Sequence, residues 1–143
     1  MDMKILIVDD EPKLRQTLAE VFVANGYDVF MASDGKEALK IYSGKDINFV
    51  LMDIGMPKMD GITAYREMIK INSALKEKAN PHIVLMTGDV VKLEEAMKEG
   101  IKVSGKPFDT EKVIALFSEL MWEETKKSAI FSQSSSVKSN VKT

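Results

Sequence analysis

The chain of 143 residues has no cysteine, which excludes a disulfide framework, a thiolate metal site and a cysteine nucleophile. Long apolar runs are missing too. The longest are four or five residues, as at Ile5–Val8, Phe49–Met52 and Ile83–Met86, far short of the roughly 20 that span a bilayer. Neither sign of charge dominates: 20 Lys and Arg against 22 Asp and Glu leave a net charge of −2, no electrostatic basis for holding nucleic acid. Asp2 precedes the first apolar run and Asp9, Asp10 and Glu11 follow it, a pattern unlike a signal peptide. The single histidine, His82, sits beside Pro81 at the start of an apolar run; it is expected to be structural and to lie at the wrong end of its strand for a catalytic base. The length suits one domain, expected in the cytoplasm.

What is present is alternation. Five short apolar runs, Lys4–Val8, Tyr27–Ala32, Phe49–Met52, His82–Thr87 and a weaker Ile101–Ser104, alternate with five amphipathic stretches. The first, third and fourth runs are nearly continuous Ile, Val, Leu, Phe and Met, the composition of strands buried on both faces. In the second, Tyr27, Val29 and Met31 alternate with Asp28, Phe30 and Ala32, which predicts a position nearer a sheet edge. Leu14, Leu18, Val21 and Phe22 fall on one face of a helix that Asn25-Gly26 ends. Ala38, Leu39 and Tyr42 mark a second helix, ending near Ser43-Gly44. Ile62, Tyr65, Met68, Ile69 and Asn72 mark a third, extending toward Lys76, and Val90, Leu93, Ala96 and Met97 a fourth, closed by Gly100. Val113, Leu116, Phe117, Leu120 and Met121 mark a fifth, with Asp109 or Thr110 as its N-cap. Strict alternation with short connections predicts an α/β fold, a doubly wound parallel sheet with helices on both faces. From Ser128 the last 16 residues hold six serines, two lysines and no acid; residues 128–143 are read as a disordered tail or truncated linker after a domain of residues 1–127.

In such sheets ligands bind beyond the carboxyl ends of the strands. There the sequence places Asp9-Asp10-Glu11, Asp53-Ile54-Gly55, Thr87-Gly88-Asp89 and Gly105-Lys106-Pro107. Neighbouring strands lie about 5 Å apart, so a sheet with the first, third and fifth strands side by side gathers three aspartates, a hydroxyl and an ammonium. Three carboxylates in a small site require a neutralising charge. Mg²⁺ suits them, since it binds through one or two carboxylates, waters and phosphate oxygens. A carboxylate beside Mg²⁺ and Lys106 is suited to attack phosphorus, because those cations offset charge on the transferring oxygens. Thr87 can donate a hydrogen bond to one of them. The constellation reads as an aspartate that takes up a phosphoryl group.

These residues resemble the receiver domain of two-component response regulators, over about Lys4 to Lys127. The matching pieces are Ile5-Leu6-Ile7-Val8-Asp9-Asp10-Glu11, Leu51-Met52-Asp53-Ile54-Gly55-Met56-Pro57-Lys58-Met59-Asp60-Gly61, Thr87-Gly88 and Lys106-Pro107-Phe108. Each is weak alone; all four in order are specific. The resemblance implies a flavodoxin-like sheet of five strands in the order 2-1-3-4-5 with five helices, as in single-domain chemotaxis-type receivers. It implies a phosphorylation-dependent signalling switch that assists its own phosphorylation and dephosphorylation and is otherwise no enzyme. Asp53 matches the phosphoacceptor, supplied by the phosphohistidine of a sensor histidine kinase or phosphotransfer protein. Asp10 matches the direct Mg²⁺ ligand, Asp9 the residue holding the ion through water, and the Gly55 backbone carbonyl completes the protein ligands. Thr87 matches the switch hydroxyl and Lys106 the lysine that pairs with the acceptor and then with its phosphate. Lys106-Pro107 is similar to a bond the family usually holds cis, which aims the lysine inward. The implied partners are that phosphodonor and an unidentified downstream protein; no DNA-binding domain and no membrane segment are expected.

Two departures bear on the readout. The family usually carries Tyr or Phe three residues before the lysine, where this chain has Val103, and the stretch from Thr87 to Lys106 is shorter than usual. Other functions compete with the switch. A phosphohydrolase with an aspartyl nucleophile needs a second carboxylate two residues on, where Gly55 stands. A phosphate-independent binding module leaves Thr87, Lys106 and the acid pocket without purpose. A receiver fragment of a larger regulator or hybrid kinase would read the same. Asp60-Gly61 is expected to set a loop and open the third helix, the methionines to fill core, and Trp122 to be packed or partly exposed. Gly55 and Asp89, two residues beyond Asp53 and Thr87, flank the approach of water to an acyl phosphate. Gly55 leaves it open, whereas Asp89 either orients a water or repels hydroxide.

Overall fold

The alternating pattern resolves into nine elements in the computed structural model, which describes residues 3–74, 82–105, 111, 112, 114, 115, 118, 119 and 122. They are β1 (Lys4–Val8), α1 (Pro12–Ala24), β2 (Asp28–Ala32), α2 (Gly35–Gly44), β3 (Phe49–Asp53), α3 (Gly61–Ala74), β4 (His82–Thr87), α4 (Val90–Lys98) and β5 (Lys102–Gly105). The strands pair in parallel in the order β2-β1-β3-β4-β5. This is the flavodoxin-like order that the resemblance implies. Only the expectation of the first, third and fifth strands side by side fails: β4 separates β3 from β5, so the strands carrying Asp53 and the approach to Lys106 are not neighbours.

Burial follows composition. Every residue of β3 is buried, and β1 and β4 are buried except at their first residues, each full burial of an aliphatic side chain contributing about 1.5–3 kcal/mol. β2, at the sheet edge, has exposed Asp28 and Met31. Leu18, Ala19 and Phe22 anchor α1, while Ile62, Ala64, Met68 and Asn72 anchor α3. α4 departs from expectation: Ala96 alone is buried, Leu93 is half-buried, and Val90 and Met97 are exposed. A helix of nine residues beside the short strand β5 has little surface against which to turn a full apolar face.

Local chemistry sets the boundaries. The Asp34 carboxylate accepts from the Glu37 N–H at the start of α2, and Glu37 reaches back to the Ser33 N–H and hydroxyl, a reciprocal cap. Asp60 accepts from the Thr63 N–H to open α3, as its sequence context predicts. Gly26 and Gly100, with φ of 88° and 77°, turn the chain after α1 and α4 in a region that other residues enter at a cost. Tyr42 of α2 donates to the Asn72 amide oxygen of α3 inside the core; burial pushes the Tyr42 hydroxyl pKa up, with that bond acting the other way. At the amino ends of the strands Tyr27 packs edge-on to Phe22 and Phe49, and the His82 ring stacks on Phe49 at 5.6 Å. That gives His82 the structural place expected of it, at the end of the sheet away from the aspartates.

By contacts the chain divides into two units, Met1–Thr110 and Glu111–Thr143. The described residues of the second are helical and Trp122 is exposed, in the stretch where a fifth helix is expected. Its N-cap, all five of its expected apolar positions, the extension of α3 toward Lys76 and residues 128–143 lie outside the described residues. Among the described residues no helix is long and apolar enough to cross a membrane.

Candidate functional site

The carboxyl ends of three central strands converge by register. Val8 pairs with Met52, and Asp53 with Met86, so Asp9 follows β1 beside Asp53, and Thr87 ends the strand on the other side. Asp9, Asp53 and Thr87 are buried, while Asp10 is exposed. Carboxylate oxygens of Asp9, Asp10 and Asp53 lie within 4.8 Å of one another. That spacing suits a shared cation, and an all-oxygen donor set suits a hard one such as Mg²⁺.

Each group is held by short-range bonds. Asp9 Oδ1 accepts from the Glu11 N–H at 2.8 Å, closing the turn into α1. Asp53 Oδ1 accepts from the Gly55 N–H at 3.2 Å. Thr87 Oγ1 accepts from the Asp89 N–H at 3.0 Å, which fixes the hydroxyl oxygen and leaves its proton to donate. Asp89 has a structural role not read in the sequence: its Oδ1 accepts from the N–H groups of Val91 and Lys92 and caps α4. Val103 is half-buried, opposite Leu85, and packs against the core, an aliphatic filler at the family's aromatic position. Lys106 and Pro107 lie outside the described residues.

Several contacts around the site escaped the sequence reading. Arg15, one turn into α1, donates from its guanidinium to the Asp9 carbonyl at 2.7 Å and brings positive charge to the acid cluster. Gly61 abuts the backbone of Asp53: a Cβ there would lie 2.9 Å from the Ile54 Cα and 3.0 Å from the Asp53 carbonyl carbon. On the other side of the β3–α3 loop, Lys58 sits at φ 65° with its ammonium 3.5 Å from the Asp34 carboxylate, and Met59 covers Gly35. The Asp34 carboxyl pKa is lowered, first by the Glu37 N–H and further by Lys58. Finally, Lys92 of α4 reaches across the loop, its Nζ 3.6 Å from where a Gly55 Cβ would stand. A Lys or Arg one turn into the helix beyond each strand end is the signal that could have found Arg15 and Lys92.

Comparison with known proteins matches this arrangement. The family model of the response regulator receiver domain matches residues 5–118. Among curated proteins, the aerobic respiration control protein ArcA of Escherichia coli K12 is 46% identical over 84 residues, 59% of this chain but 32% of its own length. The chain thus spans about a third of that relative. Sporulation initiation phosphotransferase F of Bacillus subtilis is 35% identical over 116 residues, 79% of this chain and 89% of its own. A crystal structure of a response regulator receiver domain protein from Clostridium thermocellum superimposes with a TM-score of 0.72 at 28% identity, covering 86% of this chain and 98% of that one.

Proposed function

The chain belongs to the response regulator receiver domain family, a phosphorylation-dependent signalling switch, and from that premise we propose that Asp53 is its phosphoacceptor. The observation that carries this reading is the clustering of the Asp9, Asp10 and Asp53 carboxylates within 4.8 Å, at the ends of β1 and β3. Asp53 is placed by the last register pair of β3 and oriented by the Gly55 N–H. Transfer forms an O–P bond at its carboxylate and breaks the donor's P–N bond, the donor imidazole keeping the electron pair.

Asp9, Asp10, Asp53 and the Gly55 carbonyl would hold Mg²⁺, and the ion would offset negative charge on the transferring phosphoryl oxygens. Arg15 adds positive charge behind Asp9. Thr87 donates its hydroxyl proton to a phosphoryl oxygen, and Lys106 pairs with the same group. The Thr87 oxygen is already tied to the backbone that leads into α4, so a pull on the hydroxyl is passed to that helix and biases a two-state equilibrium read by a partner. The donor is a histidine kinase or phosphotransfer protein, the reader a further protein, the setting the cytoplasm; beyond assisting its own phosphorylation and dephosphorylation the chain catalyses no reaction. Incubation with acetyl phosphate and Mg²⁺ followed by intact mass measurement tests the reading. Wild type gains one phosphoryl group and Asp53→Asn gains none; a gain retained in Asp53→Asn places the acceptor elsewhere.

A further inference from the structure

We infer that Lys92 is a second phosphate-binding cation of the site, reaching over Gly55 to contact an oxygen of the incoming phosphoryl group. The inference rests on Asp53 being the acceptor and adds a group that the site motifs do not include. Its starting point is the space above Gly55. That residue is exposed and has no side chain, and the nearest atom that a Cβ would meet is Lys92 Nζ, at 3.6 Å. Lys92 is half-buried, whereas Val90, Val91 and Glu94 around it are exposed. Asp89 holds the backbone at Lys92 through its cap, so the reach begins from a fixed point. Among the described residues Lys92 Nζ has no ion-pair or hydrogen-bond partner; its charge is uncommitted.

Charge supplies the reason for a further cation. Phosphorylation replaces a carboxylate of charge −1 by an acyl phosphate approaching −2, beside two more aspartates. A divalent ion together with Lys106 still leaves this group net negative. Arg15 is engaged with the Asp9 carbonyl on the β1 side, whereas Lys92 stands on the Gly55 side, where an anionic donor can enter. An ammonium there attracts the donor and then holds a phosphoryl oxygen by a charge-assisted hydrogen bond. It also ties the phosphate to α4.

The test is the uptake rate from acetyl phosphate in saturating Mg²⁺, followed by intact mass across a series of salt concentrations. Lys92→Gln is expected to slow uptake roughly three- to tenfold at low salt and to flatten its salt dependence, with the melting temperature unchanged. Lys92→Arg restores both rate and salt dependence, and Lys98→Gln, an exposed lysine at the far end of α4, changes neither. A Lys92→Gln protein with wild-type rate and salt dependence overturns the inference. So does equal slowing by Lys98→Gln, which would make the effect one of net charge, or slowing that Lys92→Arg fails to restore. Wild type that takes up no phosphoryl group overturns instead the assignment of Asp53.

Discussion

Replacing Gly61 by alanine probes the link between the loop and the acceptor. The added methyl would lie 2.9 Å from the Ile54 Cα and 3.0 Å from the Asp53 carbonyl carbon, and closer still to the Asp53 carbonyl oxygen. All three are backbone atoms, so no rotamer change relieves the contact. Carbon atoms settle at about 3.5–4.0 Å, so either the start of α3 or the end of β3 must move by roughly 1 Å. Overpacking of this kind costs about 1–3 kcal/mol, and better helix propensity returns at most about 1 kcal/mol. A net loss of about 1–2 kcal/mol lowers the melting temperature by roughly 4–10 °C. Because the displaced group includes Asp53, phosphoryl uptake should fall by about tenfold or more, as misplacement of a reacting atom by roughly 1 Å does elsewhere. The comparator is Gly44→Ala, where a Cβ meets nothing within 4 Å, and both readouts should stay at wild-type values. Thermal unfolding and uptake from acetyl phosphate by intact mass measure the pair. A Gly61→Ala protein that matches wild type in both would refute the close approach as a constraint on Asp53.

Three further outcomes are expected. Asp10→Ala should weaken Mg²⁺ binding and phosphoryl uptake together in a metal titration, and undiminished uptake in metal-free buffer would remove the metal from the scheme. Tyr42→Phe takes a donor from the buried Asn72 oxygen and should cost about 1–3 kcal/mol, read as a lower denaturant midpoint at unchanged slope; an unchanged midpoint would show that the bond adds nothing. The lowered Asp34 carboxyl pKa implies stability that is fully present above the ordinary aspartate range and is lost as pH falls through the folded-state value. Asp34→Asn keeps a capping side chain but not the titration, so its melting temperature should fall less than that of wild type between neutral pH and the acid limb, and equal falls would count against Asp34 as a contributor.

Three strands, the helix faces and the acid-bearing strand ends were legible because each is a local property. A strand buried on both faces must be apolar at nearly every position, as β3 is, and a helix packed on one side must repeat its apolar residues, as α1 does through Leu18 and Phe22. Asp9, Asp53 and Thr87 were found as the first polar residues after such runs, and the four motifs carried the family likeness and with it the strand order. Tertiary structure decided which distant residues meet. Periodicity tells whether a side chain faces the core but not what lies across from it, so Tyr42 against Asn72 and Lys58 beside Asp34 leave no mark on a single segment. The same holds for α4, whose apolar repeat is intact while Val90 and Met97 stay exposed, because burial depends on the area of the neighbouring strand. Gly61 against Asp53, Arg15 on the Asp9 carbonyl and Lys92 over Gly55 depend on the angles at which loops and helices return to the sheet, and those angles are set by the packing of the whole layer.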